Sequence, residues 1–246
     1  MLKIGWMSSA TGPGSRALLK FVHDSIVNGS LDASIEYVFS SRENGEDIEI
    51  DKFVEMVSEF KLPFHSFSFN KFRTKTLRGL NRETIRIRYD TEVIDKIKNY
   101  NVDLIIMAGY MLIASEEFTK KFPIINLHPA LPNGPKGTWQ QVVNQIIESH
   151  QTQTGTMIHL VTNDLDRGPV ISCCRCDLES EWNNYLIHKS RPQLFKEIRK
   201  KQYLQEPGLM LETLKWISTG IIDVENLSYN LENRAYPLPV YMNDLA

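Results

Sequence analysis

The segment VDLIIMAGY, residues 102–110, limits the fold more than any other stretch of the chain. It is apolar at consecutive positions, so a β-strand formed here would bury both of its faces. Strands of that kind occupy central positions in parallel sheets, where helices cover both sides. The segment therefore predicts a central strand of an α/β domain.

Apolar periodicity in the rest of the chain gives the alternation of strands and helices that such a sheet requires. Further strands are predicted at residues 2–9, 34–41, 63–69, 123–128, 154–161 and 169–178. Helices are predicted from Ser15 to about Ile26, at residues 50–60, 83–100 and 137–150, near Glu116, and over most of 181–218. The predicted fold class is α/β, with a Rossmann-like, mostly parallel sheet and flanking helices.

Composition excludes several classes of protein. The 246 residues are 42% hydrophobic and 24% charged, with a formal net charge of −2, which gives no general reason to expect a nucleic-acid or membrane partner. The amino terminus lacks the apolar core of a signal peptide, and no apolar run reaches the length of a membrane span. We therefore expect a cytoplasmic protein.

All three cysteines lie in the segment SCCRC, as Cys173, Cys174 and Cys176. Zinc sites pair one Cys-x-x-Cys cluster with a second ligand cluster, and this sequence has no second one. Neighbouring cysteines on a strand also point to opposite faces. We expect reduced thiols and no metal.

The segment INLHPALPNGP, residues 124–134, ends an apolar strand in polar side chains. Asn126 and His128 are two residues apart and so project to the same side of a strand. Ligands of open parallel sheets bind at the carboxyl ends of the strands. Proline rings restrict the loop that follows, at Pro129, Pro132 and Pro135. We expect these two side chains to be held rigidly at a ligand-binding edge.

Other motifs are individually weak. The loop TGPGSR precedes the first predicted helix, where Ser15 could cap the helix and Arg16 adds a positive charge, but an ordinary tight turn fits as well as a phosphate cradle. The segment NDLDRG contains Asp164 and Asp166, and by itself it is typical of a strand-linking turn. His159 lies in an alternating strand and is best interpreted as a core histidine.

Residues 71–88 carry seven Lys or Arg and one Glu. A nucleic-acid groove is one interpretation of this segment. The acidic overall balance favours a solvated loop and helix face, with one or two arginines turned toward a phosphate-bearing substrate.

Taken together, an Asn, a His and an Asp at strand ends suit a reaction that passes through an oxyanion. The sequence has neither a serine elbow nor a catalytic cysteine signature, which argues against a nucleophilic triad. A charged imidazole and an amide can donate to a developing negative charge, while a carboxylate holds the imidazole or a water.

INLHPALPNGPKG, followed by TGTMIHLVTNDLDRGPVI, resembles the folate-dependent formyltransferase family. GPGSRALL and VDLIIMAGYM extend the resemblance over most of residues 1–220. The similarity is greatest to the members that formylate glycinamide ribonucleotide in de novo purine synthesis. It implies a formyltransferase fold over residues 1–220, with a mononucleotide-binding half at about 1–125, a folate-binding half at about 126–220, and a C-terminal extension at 221–246.

The resemblance also implies roles for individual residues. The catalytic residues would be Asn126, His128 and Asp166, with 10-formyltetrahydrofolate as co-substrate and no metal. The folate would lie against Met111, Leu112, Ile113, Ala114, Thr162, Asn163, Asp164 and Leu165. The phosphoribosyl amine would contact Gly14, Ser15, Arg16, Arg86 and Glu206, the first three at its phosphate.

The chain also departs from the family pattern. Arg16 stands where an asparagine is usual, Trp139 lies where a histidine is often found, and the segment between His65 and Arg86 is longer than usual. The alternatives that we keep are another acceptor amine, such as an amino sugar nucleotide, and hydrolysis of formyltetrahydrofolate. Hydrolases of that kind usually carry an amino-terminal regulatory domain, whereas this chain begins at the first strand. The oligomeric state is left open, with a homodimer among the options.

Overall fold

The computed structural model describes residues 1–76, 79–231 and 234–242. The chain forms two compact units. Unit 1 comprises Met1–Asn126 together with Val161–Asp164, and unit 2 comprises Leu127–Leu160 together with Leu165–Ala246.

Unit 1 is built on parallel strands, in agreement with the predicted fold class. They are β1 (Leu2–Ser8), β2 (Ala33–Ser40), β3 (Phe64–Ser66), β4 (Leu104–Met107) and β5 (Ile124–His128), of which β5 continues into unit 2. Their order in the sheet is β5-β4-β1-β2-β3, and each neighbouring pair is parallel. All four residues of β4 are buried between β5 and β1, which confirms the central strand predicted from residues 102–110.

The helices of unit 1 are α1 (Pro13–Val27), α2 (Ile48–Glu59), α3 (Phe69–Thr76), α4 (Arg82–Ile97) and α5 (Glu116–Lys121). The prediction that α1 begins at Ser15 was wrong, because Gly12 is the N-cap and Pro13 already lies in the first turn. Proline suits that position, since its φ is helical and the first turn does not use its missing N–H. Helix α3 was not predicted, because its sequence, FNKFRTKT, has little apolar periodicity.

Unit 2 combines two antiparallel strands, β6 (Gln153–Leu160) and β7 (Val170–Asp177), with three helices. The helices are α6 (Trp139–Glu148), α7 (Glu179–His188) and α8 (Arg191–Ser218). Thr138 and Gln141 form a capping box at the start of α6, and the apolar face predicted for this helix is buried. The predicted helical region 181–218 is interrupted at Lys189, which has a left-handed conformation.

The C-terminal segment folds as part of unit 2. Strands β8 (Ile222–Asp223), β9 (Ser228–Leu231) and β10 (Arg234–Pro237) form a small sheet with antiparallel neighbours. Strand β11 (Val240–Tyr241) then pairs in parallel with β7. Within the described ranges, no helix is long and apolar enough to cross a membrane.

Candidate active site

The end of β5 carries the two polar residues that stand out in the sequence. Ile124 and Ile125 are buried, and Asn126 lies opposite Met107 of β4 in the parallel register. His128 follows two residues later on the same strand, with only 3% of its side chain exposed. Alternation along the strand therefore projects both side chains to the same side.

The imidazole of His128 has a partner at each nitrogen. Its Nε2 lies 2.9 Å from the carbonyl oxygen of Pro135, and its Nδ1 lies 3.6 Å from Oδ2 of Asp166. Since a carbonyl oxygen can only accept, the hydrogen must reside on Nε2. An ionised carboxylate also only accepts, so Nδ1 is best matched to Asp166 when it too is protonated. The geometry therefore holds the imidazole between the Pro135 carbonyl and the Asp166 carboxylate.

Asp166 is held by the backbone of the loop that precedes α6. The N–H of Gly137 donates to Oδ2 of Asp166 at 3.0 Å. Gly137 has φ +99°, and a Cβ added there would come within 2.3 Å of Oε1 of Gln141. Asp166 itself has φ 52°, a left-handed conformation that aspartate tolerates better than most residues. The position of the carboxylate thus depends on a glycine at 137.

His159 of β6 approaches the same carboxylate. Its Nε2 lies 3.8 Å from Oδ1 of Asp166, and its Nδ1 donates to the carbonyl of Leu160 at 2.8 Å. Burial lowers the pKa of His159, although the Leu160 carbonyl and Asp166 act in the opposite direction. A neutral His159 leaves the negative charge of Asp166 to interact mainly with His128. The residue is therefore both buried, as predicted, and part of the site.

In unit 1, the segment Met111–Ala114 is fastened at both ends. The N–H of Met111 donates to Oγ of Ser9 at 2.9 Å, and the N–H of Ser115 donates to Oδ2 of Asp90 at 2.5 Å. Met111 is 52% exposed, whereas Ala114 is buried. Leu112 and Ile113, between the two fixed ends, are partly exposed, so the segment is suited to backbone contacts with a ligand.

Thr162, Asn163, Asp164 and Leu165 form the turn that leads to Asp166. Oγ1 of Thr162 accepts from the N–H of Asp164 at 3.3 Å and donates to the Asp164 carbonyl at 3.2 Å. Asn163, Asp164 and Leu165 are exposed, so the turn presents accessible backbone next to a catalytic candidate.

The amino end of α1 has the properties of an anion site. Gly12 caps the helix without a side-chain hydrogen bond, and the N–H groups of Gly14 and Ser15 lie in the first turn, where helices leave amides without intrahelical partners. A Cβ on Gly109, just after β4, would lie 3.5 Å from Oγ of Ser15. The helix therefore begins beside the carboxyl end of the central strand.

The guanidinium of Arg16 is neutralised locally. Its Nη1 donates to Oε2 of Glu49 at 2.6 Å and to the Glu49 carbonyl at 3.1 Å. The Arg16 guanidinium holds the pKa of Glu49 below its usual value, with help from Lys52. The arginine that replaces the usual asparagine is thus matched by a carboxylate.

Arg86 and Glu206 lie in different units. Arg86 of α4 is half-buried, and its charge partly offsets the burial that raises the pKa of Asp90 to about 6. Glu206 of α8 is buried, which raises its pKa, and its Oε1 accepts from Nη1 of Arg199 at 2.5 Å. The Arg199 guanidinium also lies 5.3 Å from the ring centre of Trp139.

Comparison with known proteins identifies the family. The formyl transferase family model matches residues 9–185, more than half of the chain. This chain is a member of the formyl transferase family. It is thus an enzyme of the folate-dependent formyltransferase type, as the resemblance predicted.

Relatives within the formyl transferase family include enzymes with different activities. The phosphoribosylglycinamide formyltransferase of Dictyostelium discoideum is 27% identical over 220 residues, which cover 84% of this chain and 95% of that protein. The formyltetrahydrofolate deformylase of Bacillus subtilis is 31% identical over 196 residues, or 76% of this chain and 52% of that one. The glycinamide ribonucleotide transformylase 1 structure from Symbiobacterium toebii has a TM-score of 0.69 at 20% identity, covering 97% and 95% of the chains, which confirms the fold.

Several groups that contribute to the candidate site were not predicted from the sequence. The contacts of Pro135 and Gly137 are made by a backbone carbonyl and a backbone amide. The sequence predicts a turn at these residues, but it does not indicate which side chains their backbone atoms contact. Asp90 lies in a helix whose pattern predicts a solvated face, yet it is 1% exposed. The only indication in the sequence that Asp90 is buried is its position directly after the apolar ring of Tyr89.

The basic segment 71–88 of the chain consists mainly of parts of α3 and α4. Lys71 pairs with Glu43 at 2.8 Å, and Arg73, Arg82 and Arg88 are exposed. Leu77 and Arg78 lie outside the described residues. Among the arginines of this segment that the structure describes, Arg86 is half-buried and the others are exposed. This agrees with the prediction of a solvated face with one or two arginines turned inward. Within the described ranges, no cluster of His, Cys, Asp and Glu is placed to hold a metal ion.

Proposed function

We propose that the enzyme transfers the formyl group of 10-formyltetrahydrofolate to the amine of glycinamide ribonucleotide, as a phosphoribosylglycinamide formyltransferase of purine synthesis does. The observation that carries this proposal is the His128–Asp166 pair, aligned by the Pro135 carbonyl and the Gly137 amide, with Asn126 two residues earlier on β5. Phosphoribosylglycinamide formyltransferases are among the relatives of the chain, which supports the choice of acceptor.

The chemistry requires stabilisation of one negative oxygen. The acceptor amine attacks the formyl carbon, a bond from carbon to the amine nitrogen forms, and the formyl oxygen becomes an oxyanion. Collapse of this intermediate breaks the bond from carbon to N10 of the folate, and the proton lost by the amine ends on N10. His128 and the Asn126 amide donate to the oxyanion, and Asp166 keeps His128 protonated and orders the water that carries the proton.

In this mechanism the Nε2–H of His128 exchanges acceptors. It donates to the Pro135 carbonyl in the structure, and the oxyanion would replace that carbonyl as the intermediate forms. Nδ1 remains directed toward Asp166 throughout. An ionised acceptor binds a charged donor more strongly than a neutral carbonyl does, which favours the exchange only when charge has developed.

The co-substrate and the acceptor are assigned to the segments described above. The folate is proposed to bind along Met111–Ala114 and the turn Thr162–Leu165. The acceptor phosphate is proposed to lie at the first turn of α1, on the N–H groups of Gly14, Ser15 and Arg16. Arg86 and Glu206 complete the proposed acceptor contacts, with Glu206 oriented by Arg199.

The deformylase relative supports a second candidate, in which water replaces the amine as the nucleophile. The same His128 and Asp166 geometry would serve that reaction, because the oxyanion is the same. A further alternative is a formyltransferase for another amine, such as an amino sugar nucleotide.

A spectrophotometric assay separates these candidates, with 10-formyl-dideazafolate as donor and glycinamide ribonucleotide as acceptor. We expect deformylation of the donor that depends on the acceptor and saturates with it. Release of formate at the same rate with and without acceptor would replace the proposal by the hydrolase. Donor binding by tryptophan fluorescence without turnover would overturn the assigned acceptor.

A further inference from the structure

Gln202 is a polar side chain in the interior of unit 2. It lies in the middle of α8 and is 0% exposed. Burial of an amide costs free energy unless its donors and acceptors are hydrogen-bonded. The partners of Gln202 are therefore informative about why a polar residue occupies this position.

Both hydrogens of the Gln202 amide are used. Nε2 donates to the carbonyl oxygen of Pro129 at 2.7 Å and to Oγ1 of Thr154 at 3.0 Å. Because the Pro129 carbonyl can only accept, it fixes which end of the amide faces it. Oε1 is buried and has no hydrogen-bond partner among the described residues. The position of the Gln202 side chain is thus set by its two acceptors, the Pro129 carbonyl and the Thr154 hydroxyl.

Pro129 is the residue that follows His128. The N–H of Ala130 turns back to the carbonyl of His128 at 2.9 Å, and the His128 ring is held by the Pro135 carbonyl. Gln202 adds a contact from a helix 73 residues away in sequence to this short turn. The direction of the imidazole depends on the backbone at 128–129, and Gln202 is the side chain that ties this backbone to α8.

We propose that Gln202 is a positioning residue for formyl transfer, which acts by holding the Pro129 carbonyl and thereby the orientation of His128. The proposal rests on the function proposed above for His128. It predicts an effect on turnover rather than on substrate binding, because Gln202 contacts the turn behind the catalytic side chain. A misplacement of the order of 1 Å is expected to cost about 10- to 100-fold in rate.

The decisive comparison is between Gln202→Met and Thr154→Val in the full-length protein. Methionine has a similar length without donors, and valine has the shape of threonine without the hydroxyl. Both variants break the same buried network, but only the first releases the Pro129 carbonyl. We expect Gln202→Met to lower kcat about 10- to 100-fold with KM for both substrates within about twofold, and Thr154→Val to keep kcat within about threefold. Equal losses in the two variants would overturn the proposal.

Gln202→Glu provides a second test that a general loss of stability would not imitate. An ionised carboxylate opposite the Pro129 carbonyl has no hydrogen to donate, whereas the protonated acid has one. Burial raises the pKa of such a carboxyl group. We expect the activity of this variant, relative to the unchanged enzyme at each pH, to rise as the pH is lowered. A ratio that does not change with pH would contradict the proposed role.

An activity-independent measurement separates this proposal from the choice of reaction. The ¹H–¹⁵N signals of the His128 imidazole report its hydrogen bonds whether or not glycinamide ribonucleotide is the acceptor. We expect them to shift in Gln202→Met and to stay in place in Thr154→Val. Unchanged signals in both variants would overturn the positioning role, whereas shifted signals in an enzyme inactive toward this acceptor would overturn the proposed function alone.

Discussion

At the scale of single residues, Asp166 accepts from or faces three groups of unit 2, namely the Gly137 amide and the two histidines at 128 and 159. Burial disfavours protonation of His159, and its Nδ1 is committed to the Leu160 carbonyl. The Asp166 carboxylate therefore faces two histidines with different environments, and the proposed mechanism uses the one on β5, His128.

Replacement of His128 tests its role as an oxyanion donor. We expect His128→Ala to lower kcat by about 100- to 1,000-fold, since removal of one such donor has an effect of that size. Folate affinity should stay close to normal, because the proposed folate contacts are made by other residues, at 111–114 and 162–165. Steady-state kinetics and a binding titration measure the two effects, with His188→Ala, an exposed histidine of α7, as the control. Near-normal turnover would exclude the mechanism.

Asp90 predicts a dependence of stability on pH. Burial raises its pKa from 3.8 to about 6, against the Ser115 N–H and the Arg86 charge, and Glu117 adds to the rise. Between about pH 4 and pH 6 the unfolded chain has lost this proton while the folded protein keeps it. The free energy of unfolding therefore falls as the pH rises through this window, by at most about 3 kcal/mol.

Denaturant unfolding at several pH values measures this slope. Asp90→Asn should remove the contribution, because the amide does not titrate. Asp95→Asn is the matched control, since Asp95 lies on the same helix but is exposed to solvent. The side chain of Asp95 is 60% exposed, and that of its partner Lys98 is 52% exposed. An identical slope in the Asp90→Asn protein would refute the assignment.

At the scale of elements, α1 places its first turn beside Gly109, at the carboxyl end of β4. No side chain caps the helix there, and Pro13 lies in its first turn, so the first amides stay available to an anion. The Arg16–Glu49 pair then sets the charge near this helix end.

The Arg16–Glu49 pair predicts a non-additive effect on the acceptor. Arg16→Asn leaves the Glu49 carboxylate near the proposed phosphate site, so we expect KM for the acceptor to rise several-fold with KM for the folate unchanged. The double variant Arg16→Asn/Glu49→Gln should recover part of the loss, because it removes the uncompensated negative charge. Equal effects on both substrates would remove Arg16 from the acceptor site.

At the scale of the whole molecule, the formal net charge is −2 although segment 71–88 is basic, which argues against a nucleic-acid partner. Lys71 in this segment is already paired with Glu43. A protein that tracks a phosphate backbone through 6–10 contacts loses about 10³- to 10⁵-fold in affinity between 50 and 200 mM salt.

We therefore expect no salt-sensitive binding of single-stranded DNA or RNA. A filter-binding titration at the two salt concentrations tests this, with a basic DNA-binding protein as the positive control. Submicromolar binding at 50 mM salt that disappears at 200 mM would assign the segment to a nucleic-acid partner instead.

Much of the fold was accessible from local pattern. The consecutive apolar residues of β4 required burial on both faces, and the 3.6-residue period of α6 marked its inner face, so both elements were predicted, each with limits two or three residues too wide at either end. Helix α3 and the C-terminal strands were missed, because short polar elements take their structure from neighbours rather than from their own periodicity. Helix α1 begins two residues before the predicted Ser15, because Gly12 serves as its N-cap and proline fits the first turn of a helix.

The sequence by itself determined which residue types stand at the end of β5 and the family to which the chain belongs. The two-residue alternation of a strand and the prolines after His128 are local properties of the chain, so they can be recognised in the sequence without knowledge of the tertiary structure. Only the tertiary structure decided that Gly137, His159 and Asp166 meet, that Glu49 neutralises Arg16, and that Gln202 reaches Pro129. These contacts join residues that are between 7 and 73 positions apart in the sequence, and no periodic pattern in the sequence indicates which of them meet.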